Sequence, residues 1–120
     1  MSEIASPVRL RLREKFCDRG YRNNYVSAHT RYFLARQIRA LRGTMSQQEF
    51  AARLGKKQAV VSRWENPNYG AMSLRTLFEI AEAFDVALFV RFVSCNEFLR
   101  ATRDMSPRAA RPKSSRRKAD

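Results

Sequence analysis

The stretch Met45-Ser-Gln-Gln-Glu-Phe-Ala-Ala-Arg-Leu-Gly-Lys-Lys-Gln-Ala-Val-Val-Ser-Arg-Trp-Glu65 reads as two short helices joined by a tight turn at Gly55. Ser46 followed three residues later by Glu49 is a capping box, and Met45 is placed to staple Phe50, so a helix begins here. Phe50, Ala51 and Leu54 then share one side of that helix as its inner face. Gly55 supplies the conformational freedom the turn needs.

The second helix, Gln58 to Glu65, separates its faces. At about 100° per residue, Gln58, Ala59, Ser62 and Arg63 fan across one side, with Val60, Val61 and Trp64 centred opposite. An ordinary solvated face would carry Glu and Lys pairs four residues apart. Small hydrogen-bonding residues with a single Arg suit the edges of bases in a major groove. The spacing therefore predicts a helix-turn-helix whose reading edge runs from Gln58 to Arg63.

On Ser46-Gln47, Ala51, Leu54-Gly55 and Val61-Ser62-Arg63-Trp64-Glu65-Asn66, the chain resembles the Xre family, the lambdoid phage repressor and Cro type of helix-turn-helix protein. The resemblance spans Gln37 to Phe92. It implies that Gln47 clamps phosphate and braces the recognition helix, that Gln58 reads adenine, and that Arg63 touches bases or backbone. It also implies that Glu65 pairs with an arginine of the first helix, here Arg42. Three positions depart from the family pattern: a short link at Gly43-Thr44-Met45, Pro67 in place of a glycine, and Lys57 where Ser or Thr often caps.

Side-chain chemistry refines these roles. Gln58 suits bidentate bonding to adenine, Arg63 guanine or a phosphate, Ser62 either base type, and Ala59 a thymine methyl. Gln47, Asn66 and Asn68, with the turn lysines Lys56 and Lys57, are expected on phosphates, which set register without carrying sequence information. Val61 and Trp64 are expected to anchor the helix from behind, so their truncation acts through stability.

The whole chain has 120 residues, formal charge +13 and 44% hydrophobic residues, enough for one modest core plus extensions. From Arg103 to Asp120 there are seven basic and two acidic residues, and the remainder, with seventeen basic and nine acidic, still carries +8. A basic folded part favours a polyanionic partner over a merely charged terminus. Cys17 and Cys95 make neither a metal pattern nor a disulfide framework, so reduced thiols in a cytoplasmic, nucleoid-associated protein are expected. No apolar run approaches the roughly 20 residues of a membrane span, and the N-terminus lacks a secretory pattern.

Along the chain, residues 1–28 read as an N-terminal extension, 29–93 as the helix-turn-helix domain, 94–104 as a short helix and 105–120 as a disordered basic tail. Residues 1–7 are expected to be loose. Val8 to Cys17 alternates like a strand, yet Glu14-Lys15-Phe16 favours helix. Asp18-Arg19-Gly20 is a turn signal. Tyr21 to Arg42 lacks Gly and Pro and reads as one long helix, its aromatic first half suited to packing and its second half the first core helix. His29, the sole histidine, has no catalytic companion.

After the loop at Pro67 and Gly70, Ser73 caps a helix expected to bury Leu74, Leu77, Phe78, Ala81 and Phe84, closed by Asp85. Val86 to Val93 is β-branched and aromatic, hence an expected strand. Its ladder partner is expected to be the same strand of a second copy, through Val86, Leu88, Val90 and Phe92, or else Val8 to Arg13 of the same chain. Ser94 and Glu97 read as another capping box, starting a helix that ends near Arg103. The tail lacks large apolar residues and would add affinity through counterion release.

The fold expected is thus mainly α: a five-helix repressor-like core, an extra N-terminal helix, one C-terminal strand and the tail. The function expected is sequence-specific regulation of transcription, as a repressor, by a dimeric, double-stranded DNA-binding protein. An antitoxin that grips a toxin and an architectural nucleoid binder stay open as alternatives, as does contact with RNA polymerase. Catalysis, a cofactor and a metal are not expected, since acidic residues are scattered and no phosphate-cradling glycine loop occurs.

Overall fold

The computed structural model describes residues 7–69 and 72–102, with side chains from residue 11 onward. Six helices follow in order: α1 (Pro7–Lys15), α2 (Arg19–Arg42), α3 (Gln47–Leu54), α4 (Gln58–Trp64), α5 (Leu74–Ala83) and α6 (Cys95–Ala101). The expected basic tail lies outside the described residues.

Four of the helices, α2, α3, α5 and α6, begin where a side chain satisfies free backbone donors. Asp18 accepts from the Tyr21 N–H at the start of α2, and Ser73 and Ser94 accept from Thr76 and Glu97. Asp18 is therefore the cap of α2, and Gly20 lies inside the first turn of that helix, beyond the chain reversal expected there. α2 runs for 24 residues, about 36 Å, unbroken through residues 28 and 29.

One core joins α2, α3, α4 and α5. Ile38, Phe50, Ala51, Val61, Trp64 and Ile80 are buried together, ringed by Leu34, Leu41, Met45, Leu54, Val60, Met72 and Phe84. Phe84 stacks on Phe50 with ring centres 5.0 Å apart. Arg53 lies over the same Phe84 ring and donates to the Ala83 carbonyl at 2.9 Å, closing the end of α5. A separate aromatic cluster ties α1 to the first half of α2: Phe16, 6% exposed, meets the Tyr25 ring edge-on, and His29 stacks on Tyr25. The His29 Nδ1 lies 2.9 Å from the Tyr25 carbonyl, which gives this histidine a packing role. Burial, and then the nearby Tyr21, raises the Tyr25 phenol above its ordinary pKa.

Two expectations change. Along α5, Leu74 and Phe78 point outward, 54% and 47% exposed, while Leu77, Ile80, Ala81 and Phe84 form the inner stripe. α5 is amphipathic as expected, but rotated so that Ile80 faces α3. Residues 86–94 form neither helix nor strand, and no strand occurs among the described residues. Pairing with Val8 to Arg13 is ruled out, because those residues spend their backbone groups inside α1. Val86 and Leu88 are half-buried, whereas Val90 and Phe92 are exposed. Among the described residues, no helix is long and apolar enough to cross a membrane.

Candidate nucleic-acid interface

The helix pair is built as its sequence dictates. Ser46 Oγ accepts from the Glu49 N–H, and a Glu49 oxygen accepts from the Ser46 N–H, so both halves of the box form. Hydrogen bonding to the carboxylate by the Ser46 backbone first, and by its side chain second, holds the Glu49 carboxyl below its ordinary pKa. Gly55 takes φ 67°, a left-handed conformation that stops α3, and Lys56 N–H returns to the Ala51 carbonyl. α4 then starts at Lys57, which makes no side-chain cap bond.

On α4, Val61 is 0% and Trp64 7% exposed, while Gln58, Ala59, Ser62 and Arg63 all lie on the surface. The expected reading edge and anchor face are thus separated by the helix itself. The tilt of α4 is fixed at its far end by Glu65. This carboxylate, 6% exposed, receives Arg42 Nε at 2.7 Å and Nη2 at 3.0 Å, a two-pronged pair. Arg42 also donates to the Met45 carbonyl at 2.7 Å. The bond to Glu65 raises the Arg42 pKa against the opposing effect of burial, so the guanidinium stays charged.

Glu65 Oε1 takes a third donor, Gln47 Nε2 at 3.1 Å. Because an ionised carboxylate only accepts, this fixes which end of the Gln47 amide faces inward. The remaining Gln47 oxygen accepts from Gln58 Nε2 at 3.0 Å. A continuous polar chain therefore runs from Arg42 through Glu65 and Gln47 to Gln58. The Arg42–Glu65 pairing implied by the family likeness is present, and the Gln47–Gln58 contact joins the brace to the reading edge.

The other residues divide. Lys57 and Asn68 are exposed beside the pair. Asn66 Oδ1 accepts from the Asn68 N–H, so that carbonyl shapes the loop. Lys56 lies 3.5 Å from Glu79 on α5, which draws its ammonium towards an acidic neighbour. Arg39, which sequence reasoning passed over, sits 3.9 Å from Glu65 with its side chain 71% exposed. Its signal was the three-residue step to Arg42, which sets both arginines on neighbouring parts of one helix surface.

A helix-turn-helix family model matches residues 36–90, from the second half of α2 to the extended segment. No curated protein and no solved structure matches the chain significantly. Motif, helix pair and family match coincide on the same residues, and residues 36–90 are a helix-turn-helix domain of the Xre, lambda-repressor-like family, the DNA-binding domain of a transcriptional regulator.

Proposed function

We propose that the protein is a sequence-specific repressor that lays α4 in the major groove of double-stranded DNA, with Gln58, Ala59, Ser62 and Arg63 on base edges. The observation that carries this reading is the exposure of those four side chains on a helix anchored by Val61 and Trp64 and oriented by Glu65. Gln47, Lys57, Asn66 and Asn68 hold flanking phosphates, joined by Lys56 when phosphate displaces Glu79. Occupying a promoter is enough for repression.

Two copies act together, pairing through residues 86–93. Phe89, Val90 and Phe92 are 80%, 66% and 104% exposed, a run of apolar surface that a second copy would cover. The two recognition helices then enter successive major grooves about 34–36 Å apart.

Selection of bound duplexes from a random library tests this. The expected result is an enriched motif of two related half-sites. Gln58→Ala and Arg63→Ala should each cost about 1–3 kcal/mol on that motif and relax one base position. Random duplex bound as tightly as the best selected sequence would instead mark an architectural binder.

A further inference from the structure

We infer that Arg39 is a phosphate-binding residue of the DNA interface, one turn of α2 before Arg42; this rests on the DNA-binding reading above. Two guanidiniums face a single carboxylate at this corner. Glu65 is already filled by Arg42 at 2.7 and 3.0 Å and by Gln47 at 3.1 Å. Arg39 approaches the same Oε1 only to 3.9 Å, too far for a hydrogen bond. The two side chains differ sharply in exposure, 13% for Arg42 and 71% for Arg39. Arg42 is therefore consumed in holding α4, while Arg39 is steered by Glu65 yet keeps its donors turned to solvent.

One positive charge is left over, held beside the Gln47 amide nitrogen, which has a second N–H besides the one given to Glu65, because both contact the same carboxylate oxygen. A planar guanidinium with free paired donors matches a phosphate diester. With Gln47 it makes a two-residue grip on the backbone at the start of α3. That grip fixes how far the duplex sits from Gln58 without reading any base.

The experiment measures affinity against salt concentration for the full chain, on a selected site and on random duplex, with Arg39→Gln, Arg39→Lys and Arg31→Gln. Arg31 is exposed on α2 eight residues earlier, about 12 Å along the axis, and controls for net charge. Arg39→Gln should flatten the log–log salt slope by about one unit and weaken both duplexes by the same factor. Its melting temperature should be unchanged, Arg39→Lys should retain most of the slope, and Arg31→Gln should leave it intact. An unchanged slope in Arg39→Gln, an equal loss in Arg31→Gln, or no retention by lysine overturns the assignment. Wild-type protein that binds both duplexes equally defeats the sequence-specific reading but leaves Arg39 testable. No duplex binding by wild type defeats both.

Discussion

The helix pair α3–α4 and the extended segment 86–93 treat large apolar side chains in opposite ways. In the pair, Phe50 and Val61 are 0% exposed, and the outward residues are polar or small. In the segment, Phe89 and Phe92 stand in solvent. The two regions even share a capping sequence and use it differently. Ser46 and Glu49 satisfy one another, whereas Glu97 gives its carboxylate to Arg91 at 2.8 Å while Ser94 caps alone. One region is completed within a single chain. The other presents apolar area that the described residues leave exposed, which is why a partner surface is sought there and a ligand edge on α4.

The sharpest attempt to break this contrast compares two phenylalanines. Phe50→Ala empties a site packed against Phe84 and should lower unfolding free energy by about 3–5 kcal/mol. Phe92→Ala removes a side chain with nothing to lose in a single copy, so dilute protein should melt unchanged. As concentration rises, its cost should appear, because covering by a second copy stabilises by mass action. Denaturant curves over a range of concentrations measure both. Equal losses in dilute solution would end the contrast.

Ion pairs give a second, smaller test. Glu65→Gln leaves the Arg42 guanidinium largely enclosed without its counter-charge, a loss of about 3 kcal/mol. Glu97→Gln disrupts a pair whose members are 60% and 39% exposed, worth about 0–1 kcal/mol. Loss of the Glu65 charge should also release Gln47 and loosen Gln58, so base preference should fall with stability. If Glu65→Gln were as mild as Glu97→Gln, the polar chain would not be what holds α4.

These differences explain what could be read in advance. The capping box, the turn at Gly55 and the anchoring of Val61 and Trp64 are local: each follows from residues within four positions and a fixed helical period. The Arg42–Glu65 pair spans 23 residues and came from the family likeness. The roll of α5 was less legible, because Leu74, Leu77, Phe78, Ile80 and Ala81 are all apolar and periodicity alone cannot choose which three or four face inward. Packing of Ile80 into the cluster with Phe50 and Val61 decides it. The expected strand went unformed for the same reason its residues suggested it: β-branched, aromatic sequence seeks a ladder, and the intrachain partner expected for it, Val8 to Arg13, is helical. Lys56 was expected on phosphate because the sequence does not reveal that α5 brings Glu79 to it.

The smallest effect contrasts the two capping motifs through pH. In α3 the Ser46 backbone N–H, and then the Ser46 side chain, hold the Glu49 carboxyl below its ordinary value of 4.5. A group whose folded pKa is depressed adds stability above its unfolded pKa and loses it as pH falls through the folded one. Wild type should therefore exceed Glu49→Gln in melting temperature above about pH 4.5, the gap closing progressively in more acid solution. Ser46→Ala keeps the backbone donor and removes only the side-chain contribution, so its acid-dependent gap should shrink without vanishing. A wild-type to Glu49→Gln gap constant across the acid range would mean the carboxylate lends α3 no charge-dependent support. The box would then act by hydrogen-bond shape alone, much as Ser94 does at α6.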